Sequence, residues 1–121
     1  MKKHILIVDD EVDIREILAE GLANEGYRVS PAATAIEAQR LIATDPPQLI
    51  ISDLQLEESD GLEMIQQLKA TLPDTPVMLL TGVFIDPKVV RDTLSPKVAC
   101  YLQKTTPLAK IIAEVRRLTG G

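Results

Sequence analysis

The chain has 121 residues, of which 45% are hydrophobic, and it carries a formal net charge of −5 at pH 7. This length favours a single domain, residues 1–121, and the negative charge argues against direct binding to a nucleic-acid backbone. The single cysteine, Cys100, cannot form an internal disulfide. No apolar run is as long as a signal-peptide core or a membrane span. We therefore expect a cytoplasmic protein that does not interact with membranes.

The hydrophobic pattern alternates between short apolar runs, typical of buried strands, and longer segments with helical spacing. In chain order, the predicted strands are residues 5–8, 27–30, 49–52, 77–80 and 98–102. The predicted helices follow them at residues 14–22, 34–42, 61–72, 86–95 and 106–118. The second strand is the weakest and is expected at an edge of the sheet, whereas the third is expected at its centre.

Several helix boundaries carry recognisable signals. Glu25-Gly26 ends the first helix, and Thr34 with Glu37 forms a capping-box pattern for the second. Asp86-Pro87 and Thr106-Pro107 each combine a capping residue with a proline at the first helical position. These signals predict where the second, fourth and fifth helices begin.

The last helix has one apolar face and one charged face. The residues expected to face the sheet are Leu108, Ile111, Ile112, Val115 and Leu118. The residues expected to point outward are Lys110, Glu114, Arg116 and Arg117. Elsewhere, we expect Met64 and Met78 in the core and His4 at an exposed start of the first strand.

Successive strand and helix units predict a parallel sheet with helices on both faces, because connections between parallel strands are right-handed crossovers. Four apolar runs end within a residue or two of a side chain suited to phosphoryl chemistry, namely Asp9 and Asp10, Asp53, Thr81 and Lys104. Ligands of such sheets bind outside the carboxyl ends of the strands, so these side chains are expected in one crevice. Three neighbouring carboxylates repel one another, which makes a divalent metal ion the expected ligand.

These residues also have ordinary structural interpretations. Asp9 and Asp10 could cap the first helix, Thr81 could belong to a turn, and Lys104 could be a solvated lysine. Capping requires one acid and does not explain the others. An ionisable residue such as Asp53, directly after an apolar central strand, is also costly unless it has a role. The shared site is therefore the favoured interpretation.

Five motifs appear in order along the chain: ILIVDD, LIISDL, an Asp-Gly pair seven and eight residues after Asp53, LLTG and YLQK. In this order and near this spacing they resemble the receiver domains of bacterial two-component response regulators. The resemblance covers essentially the whole chain. It implies an α/β fold of the flavodoxin-like (βα)5 type, a doubly wound parallel sheet with strand order 2-1-3-4-5.

The resemblance implies that Asp53 accepts a phosphoryl group from a phosphohistidine, carried by a sensor histidine kinase or a histidine phosphotransfer protein. The domain would then be both acceptor and catalyst of its own phosphorylation. Mg²⁺ is the implied cofactor, bound directly by Asp10 and Asp53. The implied metal site is completed by Asp9 through water and by the backbone carbonyl of Gln55. Thr81 and Lys104 would contact phosphoryl oxygens.

The resemblance also implies a switch, in which Thr81 moves toward the new phosphoryl group and Tyr101 swings into the vacated space. The responsive surface would comprise the fourth helix, fifth strand and fifth helix, about residues 86–118. It would contact a second copy of the chain or an output domain.

The sequence departs from the family pattern at three places, and these concern recognition more than chemistry. Lys104 is followed by Thr105-Thr106-Pro107 rather than directly by proline, and Leu56-Glu57 replaces the usual methionine-proline. Ser95-Pro96-Lys97 alters the junction before the fifth strand.

A non-catalytic interaction domain that keeps the fold without phosphorylation is the alternative function. A dehalogenase-like phosphatase is disfavoured, because Gln55 stands where that class needs a second aspartate.

Overall fold

The structure is a computed structural model, and it describes residues 2–53, 55–56, 59–82, 86, 88, 92 and 98–120. Its strands are β1 (His4–Val8), β2 (Arg28–Ala32), β3 (Leu49–Ser52), β4 (Gln55–Leu56), β5 (Ser59–Asp60), β6 (Val77–Thr81) and β7 (Cys100–Gln103). The helices within the described residues are α1 (Val12–Asn24), α2 (Ala35–Thr44), α3 (Gly61–Thr71) and α4 (Leu108–Thr119).

Five of the strands form one parallel sheet in the order β2-β1-β3-β6-β7. This is the predicted order 2-1-3-4-5, because β4 and β5 pair only with each other in a short antiparallel ladder. The apolar β3 lies at the centre and β2 lies at an edge, as the sequence pattern predicts. The crossovers place the carboxyl ends of β1, β3, β6 and β7 at the same side of the sheet.

The sheet is covered on both faces because alternate strand residues point to opposite sides. One core cluster combines Leu6, Val8, Ile50 and Leu79 with α2 and α3 residues Ala38, Ile42, Met64, Ile65 and Leu68. The other combines Ile5, Ile7, Ile51 and Met78 with α1 and α4 residues Leu18, Leu22, Ile111 and Val115. Met64 and Met78 are core residues as predicted, and so is the apolar face of the last helix.

The predicted start of the last helix is wrong by one residue. Pro107 is the boundary residue rather than the first helical residue, and α4 begins at Leu108 without a side-chain cap. Thr34 behaves as predicted, since its hydroxyl accepts a hydrogen bond from the Glu37 backbone N–H at 3.2 Å. β7 begins at Cys100, two residues later than predicted.

The predicted helix at residues 86–95 lies largely outside the described residues, as do Glu57 and the Ser95-Pro96-Lys97 junction. The hydrogen bond expected at the start of this helix is described: Asp86 Oδ1 accepts from the Lys88 backbone N–H at 2.9 Å.

The expectation that His4 is exposed is wrong. Its side chain lies on the same face of β1 as Leu6 and Val8, and α2 and α3 cover that face. His4 Nε2 lies 2.6 Å from the Ser30 hydroxyl, and Nδ1 lies 3.7 Å from a carboxylate oxygen of Asp45. Asp45 in turn forms an ion pair with Arg28 of the edge strand. This polar cluster lies at the start of the strands, away from the predicted crevice.

Candidate functional site at the carboxyl ends of the strands

The polar residues of the site follow directly from the strand ends. Asp9 comes after β1, Asp53 after β3 and Lys104 after β7, while Thr81 is the last residue of β6. The register aligns Val8 with Ser52, so Asp9 and Asp53 leave neighbouring strands at the same level. Backbone hydrogen bonds continue the ladder past the strand ends, from the Asp53 N–H to Val8 at 3.1 Å and from the Lys104 N–H to Thr81 at 2.9 Å.

Lys104 brings the acidic residues together. Its ammonium lies 2.7 Å from Asp53 Oδ2, 3.0 Å from Asp9 Oδ2 and 2.7 Å from Glu11 Oε1. Asp9 and Asp53 are almost fully buried, with 2% and 4% of their surface exposed. A buried carboxylate is costly without a positive partner, and here one lysine serves several.

Burial and ion pairing oppose each other in this cluster. Burial favours the neutral amine of Lys104, but the hydrogen bonds that its ammonium donates to Asp53, Glu11 and Asp9 outweigh this effect and raise the lysine pKa. Burial raises the pKa of Asp9, although the Glu11 backbone N–H and Lys104 both favour its charged form. The negative charge of Asp53 adds to the upward shift of the Asp9 pKa. The site therefore holds more negative charge than Lys104 neutralises.

The donor set fits a hard divalent cation. Asp9, Asp10, Glu11 and Asp53 each offer one carboxylate oxygen, and these four oxygens lie within 4.8 Å of one another. Carboxylate oxygens are the ligands that Mg²⁺ prefers in proteins. The predicted trio of Asp9, Asp10 and Asp53 is thus brought together, as the sequence predicts.

Helix capping does not explain the acids. The boundary residue of α1 is Glu11, and its side chain makes no capping bond. The Asp9 carboxylate accepts a hydrogen bond from the Glu11 backbone N–H at 2.9 Å, one residue before the helix begins. Glu11 is also the site residue that the sequence analysis missed. The available signal was a third consecutive acid after Asp9 and Asp10.

The structure places the other three predicted residues on β4, β6 and β7. Thr81 is fully buried at the end of β6, and its carbonyl accepts the Lys104 backbone hydrogen bond. Tyr101 pairs with Leu79 in the β6–β7 register. It is half-buried against the core cluster that contains the α2 and α3 residues. Gln55, predicted to offer its backbone carbonyl, begins β4 two residues after Asp53.

A family model described as the response regulator receiver domain matches residues 5–116. This match covers most of the chain, including the site residues from Asp9 to Lys104. The chain belongs to the response regulator receiver domain family.

Relatives and solved structures agree with this membership. The response regulator MprA of Mycobacterium ulcerans (strain Agy99) is 35% identical over 125 residues, covering 98% of this chain and 50% of that protein. The chain thus spans about half the length of the curated relatives it matches.

A CheY-like receiver domain protein from Methanospirillum hungatei JF-1 aligns with a TM-score of 0.90 at 25% identity, covering 99% of this chain and 95% of that one. The BeF3-activated DrrB receiver domain aligns with a TM-score of 0.87 at 25% identity over the whole of both chains.

As a receiver domain, the protein has the fold and acidic pocket of a family that serves phosphorelay signal transduction. Receiver domains generally use Mg²⁺ for phosphorylation, and their partners are histidine kinases. Within the part of the chain that the structure describes, no helix is both long and apolar enough to span a bilayer.

Proposed function

We propose that this receiver domain, residues 1–121, accepts a phosphoryl group on Asp53 from the phosphohistidine of a sensor histidine kinase or a histidine phosphotransfer protein. The position of Asp53 is the strongest support for this assignment. Asp53 directly follows the central strand β3, is 4% exposed, and lies 2.7 Å from the Lys104 ammonium beside two further aspartates. A carboxylate in this position is a nucleophile with positive charge already at hand.

The proposed transfer is a displacement at phosphorus. An oxygen of the Asp53 carboxylate forms the new P–O bond as the P–N bond to the histidine ring breaks. The electron pair of that bond goes to the ring nitrogen, so the phosphoryl group changes partner without oxidation or reduction. Asp53 becomes an aspartyl phosphate, and water can later cleave that acyl phosphate.

Two side chains of the site face the charge that develops on the phosphoryl oxygens. Lys104 supplies a positive charge beside the acceptor, and the Thr81 hydroxyl supplies a hydrogen-bond donor at the end of the next strand. The backbone hydrogen bond from the Lys104 N–H to the Thr81 carbonyl holds the two residues side by side at this edge of the site.

The metal would be held by Asp10 and Asp53 directly, by Asp9 through water, and by the backbone carbonyl of Gln55. When bound, Mg²⁺ supplies further positive charge for the phosphoryl oxygens. The excess of carboxylates over the single ammonium of Lys104 supports this proposal.

The output of the proposed reaction is a change in surface. Tyr101 lies on β7, next to β6, and pairs with Leu79, two residues before Thr81. This position supports a relay from Thr81 through Tyr101 to residues 86–118. We propose that this surface contacts a second copy of the chain or an output domain, in the cytoplasm.

Acetyl phosphate with Mg²⁺ tests the acceptor directly. Intact-mass measurement should show one added phosphoryl group on the wild-type protein and none on Asp53→Asn, which lacks the nucleophilic oxygen. The Asp74→Asn variant removes the same charge at an exposed position before β6 and serves as the matched control, so it should be labelled like wild type. Labelling of Asp53→Asn equal to wild type would refute the assignment. Absence of labelling in the wild type would favour the non-catalytic interaction domain.

A further inference from the structure

Glu11 contacts Lys104 but has no part in the scheme above. Its Oε1 lies 2.7 Å from the Lys104 ammonium, as close as the Asp53 oxygen does. The Glu11 side chain is 60% exposed, whereas those of Asp9 and Asp53 are 3% and 6% exposed. Among the carboxylates that contact Lys104 in the described residues, Glu11 is therefore the one at the mouth of the site.

The backbone fixes Glu11 in this position. Its N–H donates to the Asp9 carboxylate at 2.9 Å, and its carbonyl accepts the first helical hydrogen bond from Arg15 at 3.2 Å. The Arg15 side chain also donates to the Asp9 carbonyl at 2.7 Å. With its backbone held on both sides and no capping bond to make, the Glu11 side chain extends toward Lys104.

Lys104 and a metal ion would compete for the same oxygens. The ammonium contacts Asp9 and Asp53, two of the carboxylates that the proposed metal site needs. Two cations that share carboxylates repel each other, so a lysine with only these partners would lose contacts once the metal binds. Glu11 offers Lys104 a partner on the solvent side of the site. An incoming phosphoryl group must approach from that side.

We propose that Glu11 is a positioning residue that keeps the Lys104 ammonium at the mouth of the site, ready to contact a phosphoryl oxygen. This inference rests on the proposed function. It predicts that Glu11 acts through Lys104, whereas a carboxylate that held the metal itself would act without Lys104.

The test is a double-mutant cycle with Glu11→Gln, Lys104→Gln and the double variant. Glu20→Gln is the matched control, because Glu20 is exposed on α1, the helix that follows Glu11, and the substitution removes the same charge. Labelling by acetyl phosphate is timed by intact mass at saturating Mg²⁺. Loss of one exposed charged contact predicts a rate about three- to fivefold lower in Glu11→Gln.

The cycle gives clear outcomes. Glu20→Gln should label like wild type, and the double variant should label no more slowly than Lys104→Gln alone. An unchanged rate in Glu11→Gln would overturn the inference. So would an equal loss from Glu11→Gln in the Lys104→Gln background, because Glu11 would then act independently of Lys104.

A second readout needs neither metal nor phosphoryl donor. The side-chain ammonium of Lys104, observed by NMR in ¹⁵N-lysine-labelled protein, should exchange its hydrogens with water faster in Glu11→Gln than in Glu20→Gln. Equal exchange in the two variants would overturn the contact itself. If Asp53→Asn is labelled like wild type, the acceptor assignment fails, while this measurement still decides whether Glu11 holds Lys104.

Discussion

At the scale of single residues, the charge balance of the site depends on Lys104. The ammonium contacts Asp9, Asp53 and Glu11, and two of these carboxylates are almost fully buried. Removing the partner of a buried charge leaves that charge uncompensated, which costs far more than losing a surface ion pair. One side chain thus serves both the stability of the metal-free fold and the proposed transfer.

Because of this dual role, substitutions of Lys104 and Tyr101 should have different effects on the rate of labelling. Lys104→Ala should slow labelling by acetyl phosphate about tenfold or more, because it removes charge beside the phosphoryl group. It should also lower the unfolding free energy of the metal-free protein by on the order of 2–4 kcal/mol. Tyr101→Ala should label at nearly the wild-type rate. Timed intact-mass measurements check this, and equally slow labelling of both variants would contradict the division between chemistry and switching.

The two neighbouring aspartates should differ in their effect on the metal. If Asp10 is a direct ligand and Asp9 acts through water, Asp10→Ala should weaken Mg²⁺ binding more than Asp9→Ala, whose loss should be about tenfold. Asp13→Ala removes an exposed acid from the first turn of α1 and is the control for net charge. NMR shifts followed through a Mg²⁺ titration measure all three. Binding unchanged in both site variants would favour the non-catalytic alternative.

At the scale of elements, the ends of α1 determine where the site and the next strand begin. The first end places Glu11 beside Lys104. The other end turns through Gly26, whose φ of +93° lies in the left-handed region that side chains disfavour. Tyr27 follows directly and is buried against the core. β2 begins at the next residue, Arg28. An ion pair between Glu25 and Arg116 also joins this end to the C-terminal helix α4.

Gly26 provides a test of backbone strain without any clash. A Cβ at this position would meet no atom within 4 Å, so the cost of Gly26→Ala should come from the positive φ alone. We expect a loss of about 1 kcal/mol in unfolding free energy, measured by urea denaturation. Gly26→Asn should lose less, since asparagine tolerates the left-handed region better than alanine. Equal losses in the two variants would point to a cause other than backbone conformation.

At the scale of the whole molecule, the sheet connects the site to the surface opposite α2 and α3. The strands β6 and β7 carry Thr81 and Tyr101, and the α4 residues Ile111 and Val115 pack on the same sheet. The outward residues of α4 match the prediction, with Lys110, Arg116 and Arg117 exposed, although Glu114 is only partly so. Arg117 pairs with Glu114 on this face. A charged face of this kind suits a reversible, salt-sensitive contact.

Beryllofluoride, a mimic of the phosphoryl group, should reveal which surface responds. Hydrogen exchange with and without it should change mainly between residues 81 and 118, because the proposed relay runs through Thr81 and Tyr101. The Asp53→Asn variant should show no such change. Protection changes confined to α1 and α2 would place the output surface elsewhere.

Local patterns were reliable wherever a residue's environment depended on its near neighbours in the chain. The apolar run 49–52 predicts β3 to the residue, and the Thr34 hydroxyl caps α2 as its spacing to Glu37 indicates. The start of α4 was missed by one residue, because proline satisfies the same local signal on either side of a helix boundary. The strand order came from the motifs shared with receiver domains, since periodicity does not encode it.

The alternation of strands and helices, the buried faces and the acids at the strand ends are all predictable from the sequence, because they follow from spacing and from which residues avoid water. Tertiary structure decided what those residues meet. His4 is buried because it lies on the sheet face that α2 and α3 cover, and Glu11 joins the site because β7 brings Lys104 to the first loop, 93 residues away along the chain. Contacts of this kind depend on how distant strands are ordered in the sheet, and no local pattern carries that information.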